Sequence, residues 1–157
     1  MAGTTRDAID TLFMRGDKAY TIIDTAGIRK KKNVEDDVEY YSNMRAFDAV
    51  RRSDVCLLVV DSAEGLTEQD VKIIGYVHEQ GKPSVIVMNK WDLIEKDTHT
   101  VNRFEAQLKE DLKFMDYYKS IYISAKTGQR VEKILAAAEE VYAHATFKVP
   151  TGELNDL

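Results

Sequence analysis

Two near-continuous apolar runs constrain this chain most: Val55 to Asp61 (VCLLVVD) and Ser84 to Asn89 (SVIVMN). Each has strand length, is rich in β-branched residues and lacks polar alternation, as expected of strands covered by helices on both faces. Ser120 to Ser124 (SIYIS) is a shorter run of the same kind. Helical spacing appears between the runs, where Val71, Ile74 and Val77 recur and Thr67 with Asp70 resembles a capping box opening a helix over Glu68 to Glu79. Val101, Phe104, Leu108, Leu112 and Met115 mark a second helix, and Val131, Ile134, Leu135, Ala138, Val141 and Tyr142 a third. The segment Asp37 to Arg52 carries Val38, Tyr41, Met44 and Phe47 on one helical face. Ahead of it, Ala8 to Phe13 and Ala19 to Asp24 flank a loop with Gly16, which predicts an antiparallel hairpin. Strands alternating with helices predict an α/β domain with a mainly parallel sheet. Pro150 and Gly152 end the regular pattern after Thr146, and no internal repeat is present.

At 157 residues and 44% apolar, the chain can build a full core without metal or disulfide help. Its 8 Gly, 2 Pro and single Cys exclude collagen and disulfide-stapled miniproteins. Cys56 lies inside an apolar run and reads as a buried thiol in a reducing cytosol, so a cytoplasmic location is expected. No apolar stretch approaches the ~18 residues of a membrane-spanning helix, and the first residues do not look like a signal peptide. Lys plus Arg number 22 against 27 Asp plus Glu, so binding of nucleic acid through overall charge is not expected. The basic cluster Arg29 to Lys32 is offset at once by Glu35, Asp36 and Asp37.

Chemistry gathers where strands end. Asp24-Thr25-Ala26-Gly27 closes the second predicted strand, where a carboxylate can hold Mg²⁺ through water and a glycine lets a backbone N–H approach phosphate. Asn89-Lys90-Trp91-Asp92 closes another strand. A carboxylate such as Asp92 accepts but cannot donate, which matches the ring N–H and amino donors of guanine and opposes the ring acceptor of adenine. Asn89 would tie adjacent loops together or bond the base, and the Lys90 stem could cover its face. Ser124-Ala125-Lys126-Thr127-Gly128 follows the last strand, with backbone N–H groups available for the guanine carbonyl oxygen. Each tetrad alone also fits an ordinary strand-ending turn; the three together do not arise easily by chance.

With Gly3-Thr4-Thr5-Arg6-Asp7 ahead of them, these motifs resemble the second to fifth motifs of translation-factor-class GTPases. More closely, GTTRDAIDT, DTAGIRKK, EGLTEQD, NKWDLIEKD and SAKTGQRVEKI resemble the second GTPase domain of the bacterial tandem-domain Der (EngA) family. The resemblance implies a three-layer, small-GTPase-like α/β fold of the P-loop NTPase type, mostly parallel with one antiparallel hairpin. It also implies GTP binding, hydrolysis of GTP to GDP and phosphate by the complete protein, and assembly of the large ribosomal subunit. Nucleotide contacts would fall on Asp24, Thr25, Ala26, Gly27, Ile28, Asn89, Lys90, Trp91, Asp92, Ser124, Ala125 and Lys126. Thr5, or else Thr4, would lie in switch I, with Mg²⁺ held by Thr5 and Asp24. The position at which Ras-like members carry a water-orienting Gln is Ile28, which cannot orient water; in this branch K⁺ and switch I are thought to help instead. No catalytic residue is therefore assigned beyond switch I Thr4 and Thr5 and switch II Gly27 and Ile28.

No G-x-x-x-x-G-K-[ST] phosphate loop occurs; the sole Gly-Lys pair, Gly81-Lys82, precedes Pro83. Against the family's order, the chain is expected to start just after its first strand and phosphate loop. Residues 1–145 would then be a truncated GTPase domain and 146–157 a linker toward an absent KH-like domain. Losing three or four charge-assisted phosphate bonds, at roughly 1.5–3 kcal/mol each, predicts weak or absent nucleotide binding and no hydrolysis by this chain alone. The missing central strand would leave two unpaired sheet edges that favour oligomers. The alternative is a non-hydrolysing fragment that keeps only a protein or ribosome contact surface. His78, His99 and His144 lack metal-ligand spacing, and Trp91 reads as packing beside the base site.

Overall fold

The computed structural model of the chain describes residues 9–24 and 36–156. Contacts divide it into two compact units, Met1–Ser53 and Asp54–Leu157.

In the first unit, β1 (Ile9–Arg15) and β2 (Lys18–Asp24) form an antiparallel hairpin. Its loop is Gly16-Asp17, three residues tighter than the five expected, because the strands stay paired out to Arg15 and Lys18. Gly16 takes a φ of +65° at the first loop position, the conformation a two-residue hairpin turn reserves for glycine. Phe13 and Tyr20 face each other in this ladder and stack at 5.3 Å. Helix α1 follows over Asp36–Arg52.

The second unit positions the chemistry. Strands β3 (Cys56–Asp61), β4 (Ser84–Asn89) and β5 (Lys119–Tyr122) form a parallel sheet in that order. Helix α2 (Glu68–Glu79) joins β3 to β4, α3 (Thr100–Asp111) joins β4 to β5, and α4 (Lys133–Asp156) follows. The α/β class, with a parallel sheet and one antiparallel hairpin, is the one the strand and helix periods predict.

Central strand β4 shows why its sequence needs no alternation. Ile86 and Met88 enter one cluster with Val60, Ile74, Trp91, Leu108 and Leu112; Val85 and Val87 enter another with Ile121, Ala137 and Val141. Both faces are therefore dry, and each fully buried side chain contributes roughly 1.5–3 kcal/mol. Edge strand β3 behaves differently. Leu57 and Val59, which pair with Val85 and Val87, stay 43% and 59% exposed. The expectation of full cover on both faces of this strand therefore fails, because the cluster that buries the same face of β4 does not extend over Leu57 and Val59.

Helix ends follow local chemistry where a cap is present. Thr67 Oγ1 accepts from the Asp70 N–H at 3.1 Å while Asp70 accepts from the Thr67 N–H at 3.0 Å, a reciprocal capping box that starts α2 at Glu68 as expected. Thr67→Ala is expected to lower stability by about 1 kcal/mol in urea unfolding, with no change in the cooperativity of the transition. Helix α4 runs to Asp156, past Pro150 and Gly152, where composition predicted an end; these residues lower helix propensity without dictating a stop. Val101, Val131 and Tyr142, expected in the core stripes, are 46%, 39% and 46% exposed. Val131 precedes α4, and in the first turn of α3 the inward position is taken by the buried Thr100, next to Val101.

Candidate functional site

The register of the parallel sheet brings three strand ends level. Asp61 at the end of β3 pairs with Asn89 at the end of β4, and Met88 pairs with Tyr122 at the end of β5. Residues just beyond these ends share one rim of the sheet, the place where open α/β sheets bind ligands.

Asn89 ties the rim together. Its Oδ1 accepts from the Ala125 N–H at 2.9 Å, binding the β4 end to the loop after β5. Its carbonyl oxygen accepts from the Ser62 N–H at 3.0 Å and from Ser62 Oγ, binding it to the loop after β3. Of the two roles left open for Asn89, the side-chain oxygen here performs the first.

After Asn89 the chain turns sharply. Lys90 adopts φ 61° and ψ 32°, a left-handed conformation uncommon for a residue with a side chain. The turn drives Trp91 inward and leaves Asp92 exposed. Trp91, 3% exposed, packs its ring against Phe104 at 5.1 Å and Tyr122 at 4.6 Å, and its backbone N–H donates to the Ile123 carbonyl at 3.0 Å. Trp91 therefore fixes the backbone that carries Asp92 from below.

Asp92 is oriented by Ser124. The fully buried Ser124 donates its hydroxyl to Asp92 Oδ1 at 2.7 Å and accepts from the Thr127 N–H at 3.2 Å. One carboxylate oxygen is thus satisfied by the protein, and the exposed group keeps acceptor capacity for two donors of a ligand. Ala125 and Lys126 are exposed beside it, and the Lys126 N–H has no partner among the described residues. Gly128, with φ +82°, closes the loop through its N–H to the Ser124 carbonyl at 2.8 Å. The wall behind is held by Glu105, which accepts from Ser120 and from Tyr122 at 2.7 Å. Burial and the Glu105 carboxylate push the Tyr122 hydroxyl's pKa upward, so it stays a donor.

Asp61, which closes the run VCLLVVD, is a residue to which the sequence assigned no part in the site. Its Oδ2 accepts from Lys90 Nζ at 2.9 Å and its Oδ1 from the Ala63 N–H at 2.9 Å. The Lys90 hydrogen bond, opposed by burial, holds its carboxyl below the ordinary carboxylate range. The signal for it was an acid closing VCLLVVD at a strand's carboxyl end. A carboxyl depressed in the folded state stabilises above its unfolded pKa, and that contribution fades as pH falls through the folded value. The stability gap between the parent and Asp61→Asn is accordingly expected to be constant between about pH 5 and 7 and to shrink below about pH 4 in urea titrations.

Of the other expected site residues, Thr4, Thr5, Thr25, Ala26, Gly27 and Ile28 lie outside the described residues. Asp24 ends β2, and its side chain is likewise outside them. Among the described residues no cluster of His, Cys, Asp and Glu is arranged to hold a metal. A cavity of about 190 Å³ is lined by Leu66, Met88, Phe104 and Leu108 with Arg103 and Asp111, and none of Asn89, Asp92 or Ser124 lines it.

Comparison with known proteins decides the family. A family model described as 50S ribosome-binding GTPase matches residues 1–90, more than half of the chain. The chain belongs to that GTPase family. It is 53% identical over 157 residues to GTPase Der of Alkaliphilus oremlandii, spanning 100% of this chain and 36% of that protein. It is 52% identical over 155 residues to GTPase Der of Clostridium tetani, spanning 35% of that protein. The chain thus spans about a third of the length of these Der relatives. Among solved structures, the GTPase fold recurs in Era in complex with MgGDPNP and a 16S ribosomal RNA segment, with a TM-score of 0.71 at 21% identity over 88% of this chain and 45% of that one. It recurs again in the elongation factor SelB of Methanococcus maripaludis, with a TM-score of 0.65 over 84% of this chain and 27% of that one.

Proposed function

We propose that the strand-end rim is a guanine-reading site of a GTPase that acts on the large ribosomal subunit. The observation that carries this is the Ser124–Asp92 hydrogen bond of 2.7 Å, which aims an acceptor-only carboxylate beside exposed loop amides. Guanine offers two adjacent donors to such a carboxylate and a carbonyl oxygen to the Lys126 N–H. Asn89 and Trp91 hold these groups in register, and the Lys90 stem flanks the base.

Hydrolysis of GTP to GDP and phosphate, and work on the large subunit or its rRNA, belong to this proposal at the scale of the longer Der relatives. There Thr5 and Asp24 would hold Mg²⁺, which neutralises phosphate charge when bound, with K⁺ as a candidate helper and Gly27 facing the terminal phosphate. Residues 1–145 are read as the GTPase domain, 146–157 as a linker, and the location as cytoplasmic.

In these 157 residues no G-x-x-x-x-G-K-[ST] cradles the phosphates, so most of the affinity falls to the base. Forfeiting several charge-assisted phosphate bonds costs more than about three decades of affinity. Calorimetric titration with GDP and with ADP, in Mg²⁺ and K⁺, tests both halves of the reading. Weak binding of GDP with none of ADP is expected. Equal binding of the two would remove the guanine assignment, and tight GDP binding would mean that other residues supply a phosphate site.

A further inference from the structure

Lys90 is held at both ends. Its backbone is fixed in the left-handed region at φ 61°, and its ammonium is fixed by Asp61 at 2.9 Å. Asp61 is itself immobile. Its second carboxylate oxygen takes the Ala63 N–H at 2.9 Å, and its carbonyl takes the Gly65 N–H at 2.9 Å and the Glu64 N–H at 3.2 Å. The pair is asymmetric in exposure, with the Asp61 side chain 11% and the Lys90 side chain 53% accessible. The anchor is thus the partly buried partner and the tethered stem the exposed one.

A surface ion pair between two mobile side chains contributes little, because both must lose freedom to form it. Here one partner is already ordered by the turn after β3, so only the lysine is restrained. Restraint before binding is what improves affinity for a flat, uncharged ring, since the ligand then does not have to immobilise the stem.

We infer that Asp61 is a positioning residue of the base site, which presets the Lys90 stem as the wall against which guanine lies. The inference rests on the guanine reading proposed above. It assigns to the end of β3 a part in base binding that no strand-end motif carries, and it separates affinity from selectivity. Asp61 governs how well any base is held through Lys90, whereas Asp92 and Ser124 govern which base is held.

The test uses the full chain with uncharged guanosine and adenosine, so that removing a negative charge does not itself change the ligand's attraction. Asp61→Asn keeps the size of the side chain and an acceptor for the Ala63 N–H. It is expected to weaken guanosine about fivefold, the scale of one well-ordered ion pair, while guanosine stays preferred over adenosine. Lys90→Gln is expected to weaken guanosine at least as much. In the double variant, adding Asp61→Asn to Lys90→Gln is expected to cost nothing further, since the group through which Asp61 acts is already gone. A merely structural Asp61 would weaken binding equally in both backgrounds, and that additivity would overturn the inference, as would an Asp61→Asn variant that binds like the parent. Failure of the parent chain to prefer guanosine over adenosine would instead overturn the guanine reading, and this inference with it.

Discussion

Asp92→Asn is expected to weaken guanosine and GDP binding by about 100-fold and to create a preference for xanthine nucleotides. In the proposed site the carboxylate would meet two guanine donors with acceptors only, each contact a charge-assisted bond of roughly 1.5–3 kcal/mol. An asparagine keeps one acceptor and turns an N–H₂ donor toward the guanine amino group, which also donates. Xanthine carries a carbonyl at that carbon, and the same N–H₂ donates to it. Ser124 strengthens the expectation, since its bond to Asp92 Oδ1 at 2.7 Å holds the group in one orientation and the exchange is felt in full. Competition between guanine and xanthine nucleotides for the parent and the variant reads the switch. Unchanged preference in the variant would remove Asp92 from base recognition.

Trp91→Ala is expected to lower stability by about 3–5 kcal/mol, a large share of the 5–15 kcal/mol that holds a typical domain. The ring is 3% exposed and sits among Phe104, Tyr122 and the second unit's larger core cluster. Alanine there leaves a cavity that surrounding side chains fill only in part. Thermal unfolding should fall by roughly 10 °C, at about 2–4 °C per kcal/mol for a chain of this size. Trp91→Phe retains most of the buried area and is expected to lose far less, while leaving the guanosine-to-adenosine preference in place. A loss of preference in Trp91→Phe, with stability preserved, would mean that the indole contacts the base and does not only support Asp92.

Elements decided by local chemistry were readable from the residues. The capping box of Thr67 and Asp70 placed the start of α2 correctly, and the run SVIVMN placed β4 without error, because a strand dry on both faces has no other way to be written. Two of the strand-end motifs, Asn89–Asp92 and Ser124–Gly128, come together on the rim through the Asn89–Ala125 and Ser124–Asp92 bonds, while Thr25-Ala26-Gly27 and the Asp24 side chain fall outside the described residues. What the residues could not show were relations between segments. The Lys90–Asp61 pair joins positions 29 residues apart, and only the register of β3 on β4 brings them together. The division of labour between Asn89 and the base depended on the Ala125 N–H lying 2.9 Å away, a distance no spacing rule supplies. The tight Gly16-Asp17 turn was hidden because Met14, Arg15 and Lys18 carry no strand signature, and pairing alone extends the ladder to them. The exposure of Leu57 and Val59 was hidden for the opposite reason: the run reads as doubly buried, and its sequence does not say which neighbour covers it.

The central claim is that base recognition resides at the rim formed by Asn89, Asp92 and the Ser124–Lys126 loop. Titrating the isotope-labelled chain with guanosine and following every backbone amide tests it most directly, because weak binding still moves amide resonances. The account predicts saturable shifts concentrated at Lys90, Asp92, Ala125 and Lys126, with adenosine producing none of them at equal concentration. Shifts centred instead on the cavity lined by Leu66, Phe104 and Leu108, or equal responses to both nucleosides, would contradict it.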